Sequence, residues 1–245
     1  MIDSHCHVSH EQFETDVDET IERAKKANVK AIINVGGNTE DNGKVMALSE
    51  KYKGYLFPCV SISPHFIDNE NLKDALSYIR KNEKKIVAIG EIGLEYFHFG
   101  NKKHRETQKE FLIAQMNLAE EISKPVVIHC REAHEDLMEI MKSYGKVRTM
   151  MHCFLKDELA EECIKRGYYL SLPTINCKAR DNIIKAAPIE NLLAETDSPY
   201  LWRGRNEPSN VSEVYGRIAK VRKESLEKIE KQIDANARKF FGLNE

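Results

Sequence analysis

Eight short apolar, β-rich runs alternate with longer stretches of helical periodicity from one end of this chain to the other, and that alternation limits the possible folds. The runs cover 1–7, 29–35, 55–61, 86–92, 125–129, 147–152, 168–172 and 192–197. Between them the helical pattern is clearest in QKEFLIAQMNLAEEI, where Phe111, Leu112, Met116, Ala119 and Ile122 recur at three- and four-residue spacing on one face. Strands that alternate with helices pair in parallel through right-handed crossovers, and eight such units close into a (β/α)8 TIM barrel. The open doubly wound sheet is the competing α/β architecture. No Gly-x-Gly-x-x-Gly follows the first run, which weakens a dinucleotide-binding reading. At 245 residues the chain matches the roughly 250 residues of one barrel, so a single domain over 1–245 is expected. The segment 212–241 reads as two further helices, with KVRKESLEKIEKQ as a solvated charged face.

Composition narrows the partners. With 37 Lys+Arg against 39 Asp+Glu the formal net charge is −2, so any contact with nucleic acid must come from a local patch or from bound cations. Six cysteines show no C-x-x-C pair, and MIDSHCHV has neither the basic nor the apolar block of a signal peptide. A reduced, cytoplasmic protein, monomeric, is the expectation. No apolar run approaches the roughly 20 residues needed to span a bilayer.

In a barrel of this kind, catalytic groups sit at the C-terminal ends of the strands. Five of the eight runs end in a side chain able to hold a metal: His5 and His7, Glu91, His129, His152 and Asp197. His5 and His7, two residues apart in an extended chain, point the same way. Each of these residues alone has an ordinary explanation, as a hydrogen-bonded rim histidine or a structural ion-pair partner. Four imidazoles and two carboxylates converging on one rim would be costly to bury without a cation. Six ligands exceed the three usual at a single catalytic zinc, which points to two metals. Glu91, on a middle strand, is placed to bridge them. Asp197 is placed to ligate one and to orient or deprotonate the attacking water. Glu91 and Asp197 are therefore the expected catalytic pair.

Cys6, Cys130 and Cys153 sit beside these histidines, but period-two alternation turns them toward the surrounding helices as small buried hydrophobes. His10, His98, His104 and His134 read as loop or helix-surface residues.

The stretches DSHCH, GEIGLEY (90–96), KPVVIHCREA (124–133), MHCF (151–154), AETDSPYL (194–201) and RNEP (205–208) together resemble the TatD family of metal-dependent deoxyribonucleases over nearly the whole chain. The resemblance implies a TIM barrel that hydrolyses DNA phosphodiesters with one or two divalent cations. Carried over by motif, its ligands are His5, His7, Glu91, His129, His152 and Asp197, the set already reached from the strand ends. Imidazole ligands favour zinc or manganese, while carboxylates and phosphate would accept magnesium. Two departures stand out. The family usually has Asp where Glu95 stands, and Gly-x-His-Pro where this chain has Ser61-Ile62-Ser63-Pro64, so that Ser63 occupies the histidine position and His65 could substitute.

Arg131, next to His129, and Arg205, in RNEP, are candidates to hold phosphate oxygens; each could equally be an ion-pair residue. Tyr96 and Trp202 could stack on bases or pack under a loop. The same activated water could cleave another ester, such as a D-aminoacyl-tRNA, or a small-molecule amide. A non-catalytic metal-binding barrel is the remaining alternative.

Overall fold

The strands of the computed structural model, which describes residues 1–243, are β1 (Ile2–Cys6), β2 (Ala31–Val35), β3 (Leu56–Val60), β4 (Ala88–Glu95), β5 (Val126–Arg131), β6 (Thr149–Met151), β7 (Tyr169–Leu172) and β8 (Leu192–Ala194). They form one parallel sheet in chain order. Helices α1 (Val17–Lys26), α2 (Thr39–Lys51), α3 (Leu72–Lys81), α4 (Lys102–Glu121), α5 (His134–Met141), α6 (Ala160–Lys165), α7 (Lys178–Ala186) and α8 (Val211–Arg222) follow the strands in turn, and α9 (Leu226–Phe241) ends the fold. The TIM barrel expected from the alternation is what the chain adopts.

The sheet closes between β8 and β1 through a seam of bonds rather than a regular ladder. Ser4 Oγ donates to the Ala194 carbonyl at 2.9 Å, Asp197 N–H to His5 O at 2.9 Å and His7 N–H to Ser198 O at 2.7 Å. Asp3 pins the same seam, accepting at Oδ1 from Thr196 N–H (3.0 Å) and at Oδ2 from the Thr196 hydroxyl (2.6 Å). Burial pushes its carboxyl up to about 8 despite these bonds.

Alternation along each strand divides the apolar residues into two layers. Ala31, Ile33, Cys59, Ala88, Val127, Met150 and Leu193 point inward and meet Ala237, Phe240 and Phe241 of α9, which plugs one end of the barrel. Ile32, Val60, Ile89, Ile128 and Leu170 point outward against the helices. Each fully buried Phe or Ile contributes about 1.5–3 kcal/mol. The charged run at the α8–α9 corner is mostly solvated as expected, with Ile229 as its buried anchor.

Two strands break the period, and both breaks lie at residues expected to form the site. In β1 the register to β2 shifts between Asp3 and Cys6, and in β4 the register to β5 shifts between Gly90 and Ile92. Strict alternation from inward Ala88 would turn Glu91 toward the helices. The irregularity re-aims it inward, the usual use of a bulge beside an active site. Gly93 makes the arrangement possible: its φ is +149° and a Cβ there would stand 1.9 Å from His129 O. Beyond the bulge, β4 runs on to Glu95, three residues further than its apolar run predicts. Two glutamines of α4 hold the strand ends. Gln108 accepts from Glu95 N–H (2.7 Å) and donates to Glu95 O (3.1 Å), and Gln115 does the same for Ile62 (2.8 and 3.0 Å). Among the described residues no helix is long and apolar enough to cross a membrane.

Candidate metal centre

At the C-terminal ends of the strands a pocket of about 550 Å³ opens, lined among others by His7, Glu91, His129, His152 and Asp197, with His5 fully buried beneath them. The structure thus brings all six expected ligands to one place. His5 and His7 present their Nε2 atoms to each other at 3.2 Å. Asp197 Oδ1 lies 3.5 Å from His5 Nε2 and 3.4 Å from His7 Nε2. Glu91 faces two ways. Its Oε2 is 3.7 and 3.9 Å from His5 and His7 Nε2, while its Oε1 is 2.6 Å from His129 Nδ1 and 3.8 Å from His152 Nε2.

A further layer orients these imidazoles. His7 Nδ1 lies 2.9 Å from Val35 O, which requires the proton on Nδ1 and makes Nε2 the atom a cation would take. Glu95 Oε2 lies 3.1 Å from His129 Nε2, and Glu195 Oε1 lies 3.0 Å from His152 Nδ1. Such carboxylate–histidine pairs fix ring orientation and raise ligand basicity.

The acids and imidazoles of the cluster shift one another strongly. Burial works to raise the Glu91 carboxyl, but His129 and His152 outweigh it and hold it well below the usual carboxylate range. Burial lowers His129 and His152, yet Glu91 lifts the first to about 9 and Glu195, Asp197 and Glu91 lift the second to about 10. His5 goes the other way: burial, reinforced by His152 and His7, holds it well below the imidazole range, and among the described residues its Nδ1 has no hydrogen-bond partner. Two Nε2 atoms facing at 3.2 Å and N···O gaps of 3.4–3.9 Å suit ligands sharing a cation better than hydrogen bonds. Ligands 2.0–2.1 Å from a tetrahedral ion lie about 3.3–3.4 Å apart. The residues present fit divalent cations.

The family model of the TatD-related DNases matches residues 2–242. The chain belongs to this family. A metal-dependent hydrolase of Bacillus subtilis, YabD, is 37% identical over 100% of both chains, and the 3'-5' ssDNA/RNA exonuclease TatD of Pantoea ananatis is 31% identical over 99% of this chain and 100% of its own. Among solved structures, the TatD homologue YjjV of Escherichia coli superposes with a TM-score of 0.91 at 27% identity, covering 100% of this chain and 98% of that one. The TatD-family chain is a metal-dependent hydrolase of the DNase type.

The structure separates the two arginines. Arg131 lines the pocket, its guanidinium 4.0 Å over the exposed Phe97 ring. Arg205 does not reach the pocket. It takes the ion-pair alternative, donating to Asp16 (2.6 and 2.7 Å), Glu207 (2.9 Å) and Gln12 O (2.7 Å) while lying over Phe13. Arg205→Ala is therefore expected to lower stability by about 1–2 kcal/mol, since it breaks a bidentate network tying α1 to the loop after β8. For a domain of this size that is a fall in Tm of roughly 2–8 °C. The KM for substrate should stay within about twofold; a large rise in KM with unchanged Tm would restore the phosphate role.

The fold decides among the other readings. Tyr96 is packed rather than free to stack on bases, its hydroxyl donating to Asp136 of α5 (2.7 Å), and Trp202 is exposed but outside the pocket lining, where Phe66 and Tyr200 are the aromatics. His10 and His98, expected on the surface, line the pocket. Cys6 and Cys130 do pack outward. Cys153 lies beyond β6 at φ +46°, where strand alternation no longer applies.

Glu95 and Glu195 were not among the expected site residues. Their signal was present: Glu195 shares the parity of Asp197 in AETD, and Glu95 shares that of Glu91 and Gly93 in GEIGLE.

Proposed function

We propose that this chain is an exonuclease that hydrolyses DNA phosphodiesters with two divalent cations, zinc, manganese or magnesium. The observation that carries the reading is Glu91, which turns one oxygen to His5 and His7 and the other to His129 and His152. His5, His7 and Asp197 would hold one cation, His129 and His152 the other, with Glu91 shared. When bound, such cations supply Lewis-acid charge to a phosphate and acidify water.

The chain's own groups do the rest. Asp197 lines the pocket, and its carboxylate would orient a water entering there and take its proton. Arg131 offers a guanidinium to the non-bridging oxygens of the phosphate. Glu95 and Glu195 keep His129 and His152 in place. The ssDNA/RNA exonuclease named among the relatives supports a single-stranded substrate. The six free thiols fit a reducing cytoplasm as the place of work.

The test is digestion of end-labelled single-stranded DNA by chelated protein, alone and after addition of manganese, magnesium or zinc. Stepwise shortening that requires metal is expected. Absence of cleavage with every metal, from a protein that binds metal, would shift the reaction to another ester or an amide.

A further inference from the structure

We propose that His65, Glu95 and His98 form an additional divalent-cation site at the mouth of the pocket, adjoining the Glu91 cluster through His129, whose Nε2 lies 3.1 Å from Glu95 Oε2, with zinc as the cation its imidazoles suit best. Two imidazoles from separate loops converge on one buried carboxylate. His65 Nε2 lies 3.6 Å from Glu95 Oε2, and His98 Nδ1 lies 3.6 Å from Glu95 Oε1. These gaps are too long for hydrogen bonds and close to the spacing of neighbouring ligands on one cation. The three residues have ligand atoms all within 4.8 Å of one another.

The carboxylate is held for this purpose. Glu95 is fully buried, and Phe97 N–H and His98 N–H donate to its Oε1 at 2.8 and 3.1 Å. The imidazoles, by contrast, are 34% and 49% exposed and can exchange a cation with solvent. Ser63 Oγ lies 3.2 Å from His65 Nδ1, so the hydroxyl can take that proton and leave Nε2 as the ligand atom. This gives Ser63, the departure from the family's Gly-x-His-Pro, a role of its own. The longer Glu95, where the family usually has Asp, carries its two oxygens to both histidines.

On the nuclease reading above, a cation here would lie beside Arg131 in the same pocket and would hold a second phosphate of the strand. The simpler alternative gives Glu95 one task, orienting His129, and leaves His65 and His98 as solvated rim residues.

Zinc content decides between them without any assay of cleavage. Chelated protein would be dialysed against buffered zinc, and bound metal counted per chain for wild type, His65→Ala, His98→Ala and, as a control, His104→Ala. His104 is a surface imidazole paired with Asp68 at 2.7 Å. The proposal expects one zinc fewer per chain in His65→Ala and in His98→Ala, with His104→Ala equal to wild type. Wild-type zinc content and affinity in both rim variants would overturn it, as would an equal loss in His104→Ala, the mark of adventitious zinc on surface histidines. Failure to cleave DNA would leave these counts untouched, and equal counts would leave the DNA reading standing.

Discussion

Glu91→Gln is expected to reduce cleavage of single-stranded DNA by about a thousandfold or more while the protein stays folded. The side chain keeps its shape, but the amide has one oxygen and no charge, whereas the carboxylate faces four imidazoles with two oxygens. Positioned cations contribute several kcal/mol to a hydrolytic transition state, and each 1.36 kcal/mol is a factor of ten in rate. Losing the shared ligand disturbs both imidazole groups at once, so its effect should exceed that of Glu195→Gln, which acts on the cluster mainly through His152, while also accepting from Cys153 N–H, and falls in the roughly 10–100-fold range of outer-layer changes. The measurement is kcat/KM with saturating metal, alongside circular dichroism. A loss smaller than tenfold in Glu91→Gln would mean that the carboxylate is a structural ion-pair partner of His129.

The barrel was legible because burial dictates a repeating pattern: every strand must be apolar on the face it turns to the helices, and eight such runs are visible in the chain. The six converging ligands were legible because barrel strands present their ends to one rim. What was not legible follows from local breaks in those rules. Period two predicts the outward face for Glu91, and only the register shift at Gly90–Ile92 reverses it. Nothing in the pattern marks that shift except the glycines flanking Glu91-Ile92.

Glu95 stood out only as a departure from the family motif and not as a site residue, because β4 continues three residues past its apolar run on the strength of the Gln108 clamp from α4. Arg205 shows the opposite difficulty. Its sequence neighbourhood suits a phosphate ligand, and only the fold reveals that Asp16, 189 residues away in the chain, already holds it.

Removing metal should lower the melting temperature by roughly 8–16 °C and abolish hydrolysis, with both restored on adding the cation back. The alternative is a self-sufficient ion-pair network, since His129 and His152 are pulled up to about 9 and about 10 and so can carry compensating protons. That compensation is incomplete. His5 is held well below its ordinary range and cannot share it, its Nδ1 has no partner among the described residues, and it stacks on His152 with ring centroids 3.9 Å apart. Two positive rings in that stack would repel. A cation present at a thousand times its Kd stabilises the folded state by about 4 kcal/mol, and each kcal/mol moves Tm by roughly 2–4 °C in a domain of this size. Calorimetric scans with and without chelator give the number directly. An unchanged Tm, with metal shown to have left, would mean that the imidazoles and carboxylates satisfy one another and that the cations serve the reaction alone.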